Sequence, residues 1–204
     1  MKIFLSALLS LFTLFAYAQK SDTIIRYFNT QFEPVAKSSA SYAGMVYPEN
    51  NKWTVVVIND SSKTLMTGFY KDKALKIKNG MFTYFYTNGK PMVRGEYLNN
   101  EQEQLWMSWY PGGERKDSVY FKKGIKTGSA ASWFENGNTK FTGYYLMSFP
   151  DSSWTWYHEN GKPSTKEKYA GGKLTNLECF DTLGNYSGLS CALEKAPTIK
   201  GYYG

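Results

Sequence analysis

A glycine recurs along this chain at an almost constant interval, and this periodicity limits the folds that the chain can adopt. Gly89 is followed by Gly113, Gly137, Gly161 and Gly184, at intervals of 24, 24, 24 and 23 residues. Asn precedes the glycine at three of these positions. Asn-Gly between apolar runs is the strongest short-range signal of a β-hairpin, because both turn positions adopt positive φ. The sequence therefore predicts tandem hairpins closed by two-residue turns.

Two columns of aromatic residues keep the same register as the glycines. Position −4 relative to the glycine holds Phe85, Trp109, Trp133, Tyr157 and Phe180, and position +8 holds Tyr97, Phe121, Tyr145 and Tyr169. A two-residue turn would pair position −3 with +2 and position −7 with +6. Because side chains alternate along a strand, positions −7, −5, −3 and +8 would then share one sheet face, and position −4 would lie on the other. In the repeat around Gly89 the first set is Phe82, Tyr84, Tyr86 and Tyr97. Phe85, Trp109, Trp133 and Tyr157 form the candidate binding stripe.

Weaker copies of the pattern extend towards the N-terminus. The segment from Tyr27 to Val35 echoes the one from Tyr84 to Met92, and Trp53 to Tyr70 reads as strand, polar turn and strand. Up to seven units result, and imperfect outer units are expected because terminal repeats cap the stack. The predicted fold is all-β, with antiparallel hairpin repeats of period about 24 forming an extended twisted meander sheet. The expected boundaries are a β segment at 19–52, repeats at 53–185 and a tail at 186–204.

The first 18 residues have the features of a secretory signal peptide. Met1-Lys2 provides a basic start, Ile3 to Phe15 is mainly apolar, and Ala16-Tyr17-Ala18 is a small-x-small cleavage site. The apolar run is shorter than the ~20 residues of a membrane-spanning helix. We therefore expect export, with Gln19 as the mature N-terminus and no membrane-spanning segment after cleavage. The expected location is the periplasm, the cell exterior or the outer-membrane surface.

The charge and the cysteines fit an exported chain. The formal net charge is +7, from 24 Lys and Arg against 17 Asp and Glu. Because the lysines are scattered among turn residues, we expect solvated loops rather than a nucleic-acid surface. Cys179 and Cys191 lie 12 residues apart. In an oxidising compartment this pair can form a disulfide, but the sequence does not give the distance that decides it.

No arrangement of reactive residues points to catalysis, and we expect a protein that is not an enzyme and has no cofactor. His158 is the only histidine and falls at position −3, where other repeats have Tyr86, Tyr110 and Phe134, so a sheet-face role is favoured over a general base. One His and two Cys do not make a common zinc site. The carboxylates of Glu114, Glu135 and Glu159 lie at or beside turns. Their spacing follows the repeat and does not indicate the facing pair of a glycosidase.

The repeat resembles the variant MORN repeat of YwqK-type bacterial proteins. The likeness is carried by Tyr84-Phe85-Tyr86-Thr87-Asn88-Gly89-Lys90 with Arg94-Gly95-Glu96-Tyr97, and by Trp133-Phe134-Glu135-Asn136-Gly137-Asn138 with Thr142-Gly143-Tyr144-Tyr145. It covers about residues 53 to 185. It implies a hairpin sheet and protein interaction rather than catalysis. Some YwqK-type proteins are described as antitoxins, which gives an antitoxin-like role as one alternative.

The order of segments is also similar to Bacteroidetes-type TonB-like energy transducers. The segment Cys191-Ala192-Leu193-Glu194-Lys195-Ala196-Pro197 resembles their linker before the TonB C-terminal domain. The sequence ends at Gly204, so we expect a TonB-associated repeat module without that domain. The leading expectation is an interaction or scaffolding module whose partner is an envelope protein. The alternative is a module that binds carbohydrate or peptidoglycan through the aromatic stripe.

Overall fold

The computed structural model describes residues 22–188, and this part of the chain is almost entirely β-structure. One short 3₁₀ turn occupies Lys37–Ser39. The predicted signal peptide at 1–18 lies outside the described residues, as does most of the predicted tail. The strands are β1 Ile24–Phe28, β2 Pro34–Val35, β3 Tyr42–Glu49, β4 Lys52–Ile58, β5 Thr64–Tyr70, β6 Gly80–Phe85, β7 Pro91–Leu98, β8 Glu101–Trp109, β9 Arg115–Lys122, β10 Ile125–Trp133, β11 Thr139–Leu146, β12 Phe149–Tyr157, β13 Pro163–Ala170, β14 Lys173–Phe180 and β15 Tyr186–Gly188.

The strands form an antiparallel sheet in which the order of β3 to β15 follows the sequence. The predicted all-β hairpin meander is therefore confirmed. The order departs from a simple meander at the N-terminus, where β1 lies between β2 and β3. The chain divides into two compact units. Unit 1 contains the described residues up to Gly89 together with Tyr97–Asn100, and unit 2 contains Lys90–Glu96 and the described residues from Glu101 onwards.

Every repeat turn has the same backbone geometry, which differs from the predicted one. At Gly89, Gly113, Gly137, Gly161 and Gly184 the glycine N–H donates to the carbonyl three residues earlier. Each glycine has positive φ, between 81° and 103°, but the preceding Asn88, Asn136 and Asn160 do not. These are three-residue loops whose glycine forms a bulge in the left-handed region. The prediction of a two-residue turn was wrong because an Asn-Gly pair also fits this longer loop.

The same loop closes the two degenerate hairpins near the N-terminus. Phe32 and Ser62 occupy the glycine position, with φ of 60° and 58°. Their N–H groups donate to the carbonyls of Asn29 and Asn59. The side-chain Oδ1 of each asparagine also accepts two backbone N–H groups of its loop. These local hydrogen bonds stabilise a left-handed residue that is not glycine.

Two-residue turns do occur, but at the connectors between hairpins. Both residues have positive φ in the pairs Asn50-Asn51, Asn99-Asn100, Lys123-Gly124, Met147-Ser148 and Gly171-Gly172. This is the type I′ conformation, whose twist matches that of the strands on either side. Met147-Ser148 is not a typical sequence for this turn, so the connectors could not be assigned a turn type from the sequence.

Two further irregularities in the repeats, besides the turn glycine, set the register. Ser132 pairs with Phe141 and Trp133 with Thr139, so Lys140 is an extra residue beside the turn. The predicted pairing of −3 with +2 is therefore wrong. Beyond this bulge the predicted pairing of −7 with +6 is correct, as in Trp106 with Val119, Ala130 with Gly143 and Trp154 with Glu167. A second irregularity falls at position −9, where Gly80, Gln104, Gly128 and Ser152 all have positive φ.

Unit 1 is organised around an apolar cluster. Its buried members are Phe28, Val46, Val55, Val57, Met66, Tyr70, Leu75 and Phe82. The Phe82 ring contacts the Tyr97 ring edge-to-face at a centroid distance of 5.1 Å. Phe32 packs against the cluster and stacks on Tyr42 at 5.6 Å. Aromatic side chains from the repeat positions −7 and +8 therefore share one face here, as predicted.

Unit 2 buries aromatic rings on one face of its sheet, which we call the buried face. Trp106 and Phe121 meet at 6.1 Å, and Tyr145 and Trp154 meet at 4.9 Å. Glycines on neighbouring strands make room for the indoles. A Cβ at Gly95 would overlap the ring of Trp106, and a Cβ at Gly143 would overlap that of Trp154. Because only glycine leaves this space, it is required at both positions.

Candidate functional site

The predicted binding stripe lies on the opposite face of the unit 2 sheet, which we call the exposed face. The stripe in unit 2 consists of three residues at the turn-side ends of alternate strands. They are Trp109 on β8, opposite Arg115, Trp133 on β10, opposite Thr139, and Tyr157 on β12, opposite Pro163. All three aromatic side chains are partly exposed. We call them the turn-side row. Phe85 holds the equivalent position on β6 in unit 1, and its side chain is also partly exposed.

A second set of exposed side chains was not predicted from the sequence. Leu105, Tyr120 and Tyr144 are 37%, 42% and 40% exposed, and Leu105 pairs directly with Tyr120. We call them the connector-side row. The tyrosines stand at position +7, beside the buried aromatic column at +8. Alternation along a strand gives these neighbours opposite faces, and this was the signal that could have revealed them.

Small side chains separate the two rows. They form a line across four neighbouring strands, in which each residue pairs with the next: Ser118 on β9, Ala131 on β10, Thr142 on β11 and Thr155 on β12. We call them the small-residue row. Because these side chains are short, the exposed face has a low strip on β9 to β12. Trp133 and Tyr157 lie on its turn side, and Tyr120 and Tyr144 lie on its connector side.

Cations accompany the turn-side aromatic rings. The Arg115 guanidinium lies 5.4 Å from the Trp133 ring centroid, and Lys166 Nζ lies 5.1 Å from that of Phe180. These distances are within the range of cation–π attraction. The guanidinium adds positive charge and directional hydrogen-bond donors beside the aromatic rings.

Hydrogen bonds between successive repeats hold the turn edge of unit 2. The amide Nδ2 of Asn136 donates to the Glu159 carbonyl at 3.0 Å, and Nδ2 of Asn160 donates to that of Thr182 at 2.7 Å. Oδ1 of each asparagine accepts an N–H within its own turn. The asparagine before the turn glycine therefore serves both its own turn and the next one.

His158 is part of this structural network. Its Nε2 lies 3.2 Å from the Phe180 carbonyl oxygen, which makes Nε2 the donor. Tyr110, at the same repeat position, donates its hydroxyl to the Trp133 carbonyl at 2.9 Å. The histidine therefore replaces an aromatic residue of the sheet and takes over its hydrogen bond to the next repeat.

Several carboxylates act as hydrogen-bond acceptors in the sheet. Asp117 accepts from the Ser108 hydroxyl at 2.9 Å. Glu167 accepts from Trp156 Nε1 at 3.1 Å and from the Tyr169 hydroxyl at 3.0 Å. Burial and the nearby Glu167 raise the pKa of Tyr169 to about 12. Between residues 22 and 188, no cluster of three or more His, Cys, Asp or Glu side chains suits a metal ion.

Cys179 is 1% exposed and belongs to a disulfide. The other predicted member, Cys191, lies outside the described residues, so the pairing stays a prediction. Within the described part of the chain, no helix has the length and apolar character needed to cross a membrane. Neither a scan against protein-family models nor a search of curated proteins finds a match to this chain.

Proposed function

We propose that this chain is an exported, noncatalytic binding module of the cell envelope that contacts another protein through the exposed face of unit 2. We also propose that its repeats belong to the MORN-like class. A protein partner agrees with what the resemblance to YwqK-type repeats implies. The proposal depends on one observation, which is the set of exposed apolar and aromatic side chains on that face.

A sheet face that meets only water is normally polar. Here Leu105, Tyr120 and Tyr144 are each more than a third exposed, beside the partly exposed Trp109 and Trp133. Large exposed apolar and aromatic side chains grouped on one face are typical of interaction sites, and tyrosine, tryptophan and arginine are enriched in them. The repeat-to-repeat hydrogen bonds keep the rows in place, which lowers the entropic cost of ordering them on binding.

Comparative capture from envelope extracts tests the proposal. The mature chain is immobilised beside a Tyr120→Thr/Tyr144→Thr double variant, in which threonine retains strand propensity. The matched control is Ile25→Thr, which shortens an apolar side chain that is 52% exposed and lies on β1, outside unit 2. We expect the wild type and the control to retain the same proteins and the double variant to lose them. Identical capture by all three would contradict the proposal.

Glycan binding is the second candidate, because exposed aromatic rings on a sheet face can stack on sugars. A glycan array that includes peptidoglycan fragments tests this option. Retention of a glycan by the wild type and its loss from the double variant would move this candidate to first place.

A further inference from the structure

We infer that the partner segment recognised by the exposed face of unit 2 is a proline-rich, acidic peptide in the polyproline II conformation. In this arrangement the peptide crosses the strands along the small-residue row. The inference rests on the proposed function and specifies the chemistry of the ligand. Four features of the exposed face support it: the ring spacing, the low strip, the donor groups and the charge.

The spacing of the rings matches this ligand conformation. Trp109, Trp133 and Tyr157 occupy equivalent positions on alternate strands, so neighbouring members are separated by about 9.6 Å, twice the strand spacing. A polyproline II helix rises ~3.1 Å per residue with three residues per turn, which gives about 9.3 Å per turn. Each turn of the peptide can therefore place an equivalent residue on the next ring.

An extended β-strand ligand fits this spacing less well. Its side chains return to the same face about every 6.6 Å, so they fall out of step with rings about 9.6 Å apart. The connector-side row also favours a polyproline II ligand over a β-strand ligand. Its tyrosines, Tyr120 and Tyr144, repeat at the same two-strand interval, but they stand on β9 and β11, between the strands that hold the turn-side row. A peptide along the small-residue row therefore meets rings on its two sides in alternation. Aromatic-lined grooves of this type are the usual receptors of polyproline II segments.

The donors on the exposed face complement the same ligand. A polyproline II segment has no internal hydrogen bonds, and its prolines offer carbonyl acceptors without N–H donors. The hydroxyls of Ser118, Thr142 and Thr155 lie along the low strip, with the phenols of Tyr120 and Tyr144 beside it. All of these groups can donate. A surface of hydroxyl donors between aromatic rings therefore suits a ligand that is rich in acceptors.

Charge adds the acidic component of the ligand. On the three rows and their continuation into β13 and β14, the cations are Arg115, Lys166 and Lys168. The carboxylates are Asp151, opposite Tyr144, and Glu178, opposite Lys166. The excess of positive charge favours acidic residues beside the prolines. Residues three apart in a polyproline II helix share one edge, so a Glu in every third position would face one row of the exposed face.

Titration with defined peptides tests the inference. The probe is a peptide of four Pro-Pro-Glu triplets, and its control is four Gly-Gly-Glu triplets with the same charge but no preformed helix. Binding is followed by calorimetry and by tryptophan fluorescence. We expect saturable binding of the proline peptide and affinity at least about tenfold lower for the glycine peptide, because the latter must be ordered on binding.

Variants locate the site on the exposed face. Tyr144→Thr and Arg115→Gln should each weaken binding of the proline peptide by about tenfold, a typical loss at an interface anchor. Ile25→Thr, on β1 of unit 1, should leave the affinity unchanged. Circular dichroism and melting temperature identify any variant that has lost the fold, and Tyr120→Thr then replaces Tyr144→Thr.

Three results would overturn the inference. The first is equal affinity for the two peptides, the second is binding unaffected by the row variants, and the third is no binding of either peptide. In the last case, loss of captured proteins from the Tyr120→Thr/Tyr144→Thr variant would still support a protein-binding module with a different ligand conformation. Capture that ignores this double variant would overturn the proposed function itself.

Discussion

At the scale of single residues, the glycines of the repeat have two separate tasks. Gly113 and Gly137 close turns with φ of 103° and 86°, which favour glycine because it has no Cβ. Gly95 and Gly143 have no such conformation and are instead covered by the indoles of Trp106 and Trp154. The first task follows from the backbone and the second from packing, so the same substitution should have different consequences at the two kinds of site.

We predict that Gly143→Ala destabilises the protein by about 1–3 kcal/mol, the usual cost of overpacking a core. The added methyl group meets the ring of Trp154, which is 1% exposed and donates its Nε1 to the Tyr144 carbonyl at 3.0 Å. Urea unfolding followed by tryptophan fluorescence measures the loss. Gly112→Ala is the matched control, since its methyl group meets only the flexible end of the Glu114 side chain. Equal stability of the two variants would contradict this packing role.

At the scale of elements, the hairpin turn depends on contacts with the next hairpin as well as on its own sequence. Asn160 accepts from the Lys162 N–H at 3.0 Å within its turn and donates to the Thr182 carbonyl at 2.7 Å in the next. His158 adds its hydrogen bond to Phe180. Successive turns are therefore coupled through side-chain donors, in agreement with the nearest-neighbour energetics of repeat proteins.

We expect Asn160→Asp to weaken the coupling while preserving the local turn. Aspartate keeps the acceptor for Lys162 but loses the donor to Thr182, which should cost about 0.5–1.5 kcal/mol. Hydrogen exchange should become faster at the Gly184 amide, which closes the next turn by donating to Asp181. The control is Glu159→Gln, where the backbone carbonyl rather than the side chain accepts from Asn136. Faster exchange confined to the turn of Asn160 would contradict coupling between turns.

The sequence indicated the hairpins because their signals are local, and it was less informative where neighbouring strands decide. The turn glycines and the role of His158 could be inferred from the repeat register. The type of turn could not, because an asparagine before glycine fits two loop geometries. The purpose of Gly95 and Gly143 depends on a ring from the adjacent strand, which no local pattern shows. Tyr120 and Tyr144 are hard to distinguish in the sequence because the +8 aromatics dominate the neighbouring column.

At the scale of the whole molecule, tyrosines lie in or against the cores of both units. Burial raises the pKa of Tyr70, Tyr84 and Tyr97 in unit 1. In unit 2 it raises the pKa of Tyr145 to about 12. Each phenol remains protonated in the folded protein at a pH where its unfolded counterpart, with a pKa of about 10, ionises. Alkaline pH should therefore destabilise both units.

We predict that the contribution of these tyrosines to the free energy of unfolding is constant below about pH 10. This contribution should fall as the pH rises from about 10 to about 12. The sign follows from proton binding: in this interval the folded state retains phenolic protons that the unfolded state has released. Lys126 Nζ lies 5.4 Å from the centroid of the Tyr145 ring, and burial lowers the pKa of Lys126. The unfolded state therefore binds more protons at this lysine as the pH approaches about 10.5 from below, so its titration increases the free energy of unfolding in that interval.

Urea unfolding of wild type and Tyr145→Phe at pH 8, 10 and 11 separates the contributions of the tyrosine and the lysine, because at pH 8 the tyrosines are protonated in both states. The variant should lose less stability than the wild type between pH 10 and 11. A loss of equal size in the two proteins would show that the Tyr145 phenol does not contribute to the alkaline transition.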